Sequence, residues 1–85
     1  MSSKKTTTSL LEIEAEQARL SVAVIDEVRR ALRRGKISQG RLAELLGVAE
    51  SRVCLVLGGA ENMTLATIAR LGLALGFRWE IRPLE

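Results

Sequence analysis

The 85-residue chain reads as a mainly α protein, a bundle of four to five helices with a short β-strand at its C-terminus. Three observations predict this. Apolar residues recur at helical spacing through most of the chain, and Ser, Thr and Gly stand where helices start and stop. The last residues instead alternate apolar with charged, the period of a strand with one covered face.

Residues 1–8 (MSSKKTTT) hold nothing that can be buried and read as a flexible polar arm. The helical domain follows over 9–76. Ser9-Leu10-Leu11-Glu12 matches a capping box, in which the Ser hydroxyl and the Glu carboxylate satisfy each other's backbone N–H groups. Glu12, Glu14 and Glu16 near the start, with Arg29, Arg30, Arg33, Arg34 and Lys36 near the end, suit the helix dipole at both termini. Ile25, Val28, Ala31 and Leu32 form the apolar stripe, and Gly35 is expected in the left-handed position that ends the helix. The first helix thus spans about 9–34, with a possible break near Leu20-Ser21.

Ser38 is placed to cap a helix of about 39–46 that Gly47 closes. A third helix of about 50–57 ends at Gly58-Gly59, and Thr64 opens a fourth, of about 64–75, that Gly76 ends. Residues 77–85 form the strand and tail. In Phe77-Arg78-Trp79-Glu80-Ile81-Arg82 the three large apolar residues fall on one face. A lone strand leaves its backbone groups unpaired, so the same strand of a second copy, antiparallel about a two-fold axis, is the expected partner. Pairing in cis with Lys5–Thr8 is the alternative. Phe77, Trp79 and Ile81 would then be the dimer anchors.

Composition limits what such a chain does. It has no His and no Tyr, one Asp (Asp26), no glycine-rich phosphate loop and no metal-ligand cluster, so no enzymatic activity, cofactor or metal is expected. Cys54 is alone, which excludes an intrachain disulfide. No secretory segment or membrane-length apolar run is present, and a cytoplasmic protein is expected. The net charge of +3 permits a polyanionic partner, and the five cations within positions 29–36 concentrate it.

The stretch from Gln39 to Gly58 (QGRLAELLGVAESRVCLVLG) carries the sharpest signal. Two short helices meet across a tight turn: Ala43 is small where they must approach, and Gly47 stands where the turn needs positive φ. Leu42, Leu46, Val48, Val53 and Val56 occupy inward positions. An ordinary helical hairpin would use the same pattern. Together with Ile37-Ser38-Gln39, Ser51 and the run from Thr64-Leu65 to Leu75-Gly76, however, the segment Ile37–Gly76 resembles the Xre/lambda-repressor type of helix-turn-helix domain. The tail Phe77–Pro83 resembles the C-terminal strand of short Xre regulators, many of them antitoxins or compact phage repressors.

The resemblance implies a regulator, most often a repressor, that binds a palindromic operator in double-stranded DNA as a homodimer. The second helix of the motif would enter the major groove while the first lies across the backbone. Carried over, Gln39 would contact phosphate, with Arg41 and Arg52 as further backbone contacts. Ala49, Glu50, Ser51, Cys54, Leu55 and Gly58 would face the bases. None of these six is Arg or Lys, so guanine has no bidentate reader. Glu50 can accept from cytosine N4, Ser51 can bond several bases, and Ala49 or Leu55 can touch a thymine methyl. Such a thin code shifts the expected readout to phosphates and DNA shape. Lys36 is the basic residue expected to serve DNA; Arg29 and Arg30 read rather as a solvated helix end. The resemblance also implies an alternative, an antitoxin-type interaction module that neutralises a cognate toxin protein.

Overall fold

A computed structural model describes residues 8–59 and 63–84. Their order is α1 (Leu10–Gly35), α2 (Gln39–Leu46), α3 (Glu50–Leu57) and α4 (Leu65–Leu75), followed by an extended tail. The chain is mainly helical, and no strand forms among the described residues. Of the polar arm, residues 1–7 lie outside that description.

The capping box at the start of α1 is formed. The Glu12 N–H donates to Ser9 Oγ at 3.1 Å, and the Ser9 N–H donates to Glu12 Oε1 at 3.0 Å. From there α1 runs 26 residues without the break expected near Leu20-Ser21, about 39 Å at the helical rise. Its end also differs from expectation. Gly35 remains helical, and Lys36 takes the left-handed conformation at φ 54°. The reason is a close approach: a Cβ on Gly35 would stand 3.1 Å from Ile37 Cδ1. Glycine lets Ile37 fold back on the helix end, where its N–H donates to Leu32 O at 2.9 Å. The reversal therefore falls one residue later, on a lysine.

In the short helices the polar starts and glycine stops act as the sequence indicates. Ser38 Oγ accepts from the Arg41 N–H at 3.0 Å, and Thr64 Oγ1 accepts from the Thr67 N–H at 3.1 Å. Gly47 and Gly76 hold φ of 72° and 85°, a region that side-chain-bearing residues enter only with strain.

The core joins all four helices: Ile25, Val28 and Leu32 from α1, Leu42 and Ala43 from α2, Val53 and Leu57 from α3, and Leu71 from α4. Of the five positions expected inside the motif, Leu42 and Val53 are fully covered, while Leu46, Val48 and Val56 are half-buried. Every residue of α1 from Leu10 to Leu20 is exposed, so the first half of this helix leaves the body of the protein.

The strand expected over 77–82 is not formed within the chain. Residues 77–84 are extended, but no backbone hydrogen bond joins 78–84 to another described segment. Trp79 is instead turned onto its own α4, where its Nε1–H donates to Ile68 O at 2.7 Å. Gly72 makes that possible, since a Cβ there would fall 2.7 Å from Trp79 Nε1 and 2.9 Å from Phe77 O. Phe77 meets the indole edge-on, with ring centroids 5.0 Å apart. The expected common face is therefore divided: Phe77 and Trp79 are half-buried, while Ile81 is 82% exposed.

Candidate nucleic-acid interface

The turn at Gly47 sets the geometry of the motif. The Val48 N–H donates to Ala43 O at 3.0 Å and the Gly47 N–H to Glu44 O at 3.2 Å, which brings α3 back beside α2. The first turn of α2 then lies against the first half of α3. The Cys54 thiol donates to Gln39 Oε1 at 3.3 Å. One residue on, Gly40 faces the Glu50 carboxylate, and a Cβ at Gly40 would stand 3.3 Å from Glu50 Oε1. Glu50 is also in the first turn of α3. Its carboxylate is thus held near the positive ends of two helices, a favourable place for a negative group.

Gln39, Glu50 and Cys54 consequently form one patch. Ser51, Leu55 and Gly58 lie along the exposed side of α3, with Ala49 exposed at its N-cap. The two arginines expected on the DNA backbone do not join this patch in the same way. Arg41, exposed on α2, pairs with Glu44 at 2.9 Å. Arg52 lies on the opposite flank of α3 from Glu50 and lines a cleft towards α4.

The basic run at the end of α1 separates into distinct jobs. Arg30 is tied to Glu27 at 2.7 Å, a contact that draws the Glu27 carboxyl below its ordinary value, first through the hydrogen bond and then through charge. Arg29 is half-buried and donates from Nη2 to Leu57 O at 3.0 Å, fastening α1 to the last turn of α3. Arg33 and Lys36, together with Arg29, line a recess of about 320 Å³ that Gln39 also borders. Three cations therefore surround one hollow beside the N-terminus of α2. Guanidinium and ammonium groups next to a helix N-terminus make a fitting seat for a phosphate oxygen.

The sequence counts Arg33 in the basic run without assigning it a contact of its own. Its signal was present, because positions 29 and 33 are one helical turn apart and share a face. What the sequence lacked was the location of Gln39 relative to α1, which only the packed core supplies. Among the described residues no group of His, Cys, Asp or Glu is arranged to hold a metal ion.

Comparison with models of protein families, with curated proteins and with solved structures finds no match to this chain.

Proposed function

We propose that the protein is a sequence-specific DNA-binding regulator, a repressor that occupies a palindromic operator as a homodimer. The observation that carries this reading is the joint placement of the α2 N-terminus, the exposed side of α3 and the recess of Arg29, Arg33 and Lys36. In this account α3 enters the major groove, presenting Ala49, Glu50, Ser51, Cys54, Leu55 and Gly58. Lys36, Arg33 and Gln39 hold the phosphates beside the groove, with Arg41 and Arg52 as outer backbone contacts. With no Arg or Lys facing the bases, phosphate contacts and DNA shape supply most of the affinity.

Dimerisation falls to the tail. Trp79 is occupied within its own chain, so the pairing surface is the backbone of 78–82 with Ile81, and Phe77 and Trp79 support it from behind. A cytoplasmic location goes with this role; among the described residues no helix is long and apolar enough to cross a membrane. Selection of bound duplexes from a random pool, followed by footprinting, tests the proposal. It requires two related half-sites about one helical turn apart, ~34 Å; recovery of a single unpaired half-site contradicts it.

One observation favours a second role alongside DNA binding. Leu10 and Leu11 are 68% and 77% exposed on a helix half whose residues 10–20 are all exposed, Ile13 and Leu20 among them. Such a surface suits a protein partner, the toxin-neutralising role of an antitoxin. Co-purification of a stoichiometric partner that Leu10→Asp and Ile13→Asp release supports it, and retention of that partner by both variants rejects it.

A further inference from the structure

Gly40 is the second residue of α2, and the backbone does not require a glycine there. Positive φ is confined to Gly47, Gly59 and Gly76 among the described glycines, so Gly40 serves no left-handed turn. Within a helix glycine is less favourable than alanine, because it leaves the unfolded chain more freedom to lose. Gly40 is half-buried, and a Cβ on it would meet one side chain: Glu50, with Oε1 at 3.3 Å, Cδ at 3.6 Å and Oε2 at 3.8 Å. Glu50 itself is exposed in the first turn of α3. Its carboxylate makes no hydrogen bond or ion pair among the described residues, so both oxygens are free to accept.

We propose that the operator half-site carries a cytosine where the first turn of α3 meets the groove, with Glu50 selecting it and Gly40 as the positioning residue. This rests on the DNA-binding reading. An ionised carboxylate accepts hydrogen bonds and donates none. In the major groove cytosine presents the N4 amino donor, whereas guanine presents O6 and N7 and thymine presents O4, all acceptors that a carboxylate repels. Adenine sets its amino group beside the acceptor N7 and ranks between them. Gly40 lets the carboxylate lie against α2. A side chain at Gly40 would displace the carboxylate by a few tenths of an ångström or more. That spoils the alignment a base contact needs and alters no cation that holds phosphate.

The test titrates the full-length protein with the selected duplex and with its single-base-pair variants, over a series of salt concentrations. Glu50→Ala should remove preference at one position of each half-site, and wild type should favour cytosine there by about ten-fold over guanine or thymine. Gly40→Ala should lower that preference and Gly40→Leu should abolish it, both with the wild-type salt slope. The melting temperature of Gly40→Ala should equal or exceed that of wild type, which separates a lost contact from a damaged fold. In the Glu50→Ala background Gly40→Ala should have no effect on base preference, because it acts through Glu50. A wild type that binds no duplex removes the DNA-binding reading and the cytosine with it. The cytosine assignment alone is overturned if wild type binds but prefers another base there, or if Glu50→Ala changes preference at no position. It is overturned equally if Gly40→Ala keeps the wild-type preference, weakens all sequences alike, or acts without Glu50.

Discussion

Lys36 holds a strained backbone and offers a charge at the candidate interface, and a single substitution separates the two. Lysine at φ 54° costs on the order of 1 kcal/mol relative to glycine. Lys36→Gly should therefore raise thermal stability, by about 0.5–1 kcal/mol, while weakening DNA binding through loss of the cation. Calorimetry and a DNA titration on the same preparation check both signs; stabilisation with unchanged affinity would remove Lys36 from the interface. Trp79 poses the complementary case. Because it packs on its own α4, Trp79→Ala should destabilise the monomer fold, by about 2–3 kcal/mol for a half-buried aromatic. Gly72→Ala should cost about 1–3 kcal/mol by forcing the indole away. Thermal unfolding at several protein concentrations distinguishes this from an interface effect: the loss should be the same at every concentration. Neither role was legible in the sequence, where Trp79 reads as a dimer anchor and Gly72 carries no local signal. Both roles depend on which surface the tail folds onto, and no local pattern encodes that.

At the scale of elements, α1 consists of two halves with different sources of stability. From Ile25 onward it is held by the core, and before Ser21 it depends on its cap and its own side-chain pairs. Glu16 bonds Arg19 at 2.6 Å and Glu27 bonds Arg30 at 2.7 Å, and both carboxyls are drawn below their ordinary value of 4.5, first by the hydrogen bond. A depressed carboxylate contributes stability above its unfolded pKa, and that contribution is lost as pH falls through the folded value. Acidification from about pH 5 to about pH 3 should therefore remove part of the far-UV helical signal, reversibly and less so in high salt, because the pairs are exposed. Trp79 fluorescence should stay constant over the same range, since the core carries no such pair. A loss of both signals together would mean that α1 and the body unfold as one unit. The boundaries of α2 and α4 were readable because their determinants are local: Ser38 and Thr64 bond their own first turns, and Gly47 and Gly76 take the φ that other residues avoid. The end of α1 was readable to within one residue, since the displacement to Lys36 comes from the contact of Ile37 with Gly35.

For the whole molecule, the proposed homodimer rests on the tail. Ile81 and Leu84 are 82% and 84% exposed and make no contribution to the core. Ile81→Lys should thus convert dimer to monomer in sedimentation while leaving the unfolding of the monomer unchanged; a variant that stays dimeric places the contact elsewhere. Gln39, Glu50 and Cys54 were each legible as candidates from the motif, Gln39 for phosphate and the other two for bases, but that they meet in one patch follows from the fold around the Gly47 turn. The recess of Arg29, Arg33 and Lys36 was not legible, because it lies between α1 and α2, and their relative placement is a property of the packed core.

On the proposed function, this surface holds duplex DNA through phosphates. Fluorescence anisotropy of a labelled duplex carrying the selected site, titrated with wild type and with Arg33→Ala/Lys36→Ala at several salt concentrations, tests it most directly. The logarithm of wild-type affinity should fall linearly with log salt concentration, and the double variant should be weaker on all sequences with a slope shallower by about 2. Absence of wild-type binding at low salt, or a double variant with wild-type affinity and slope, would contradict it.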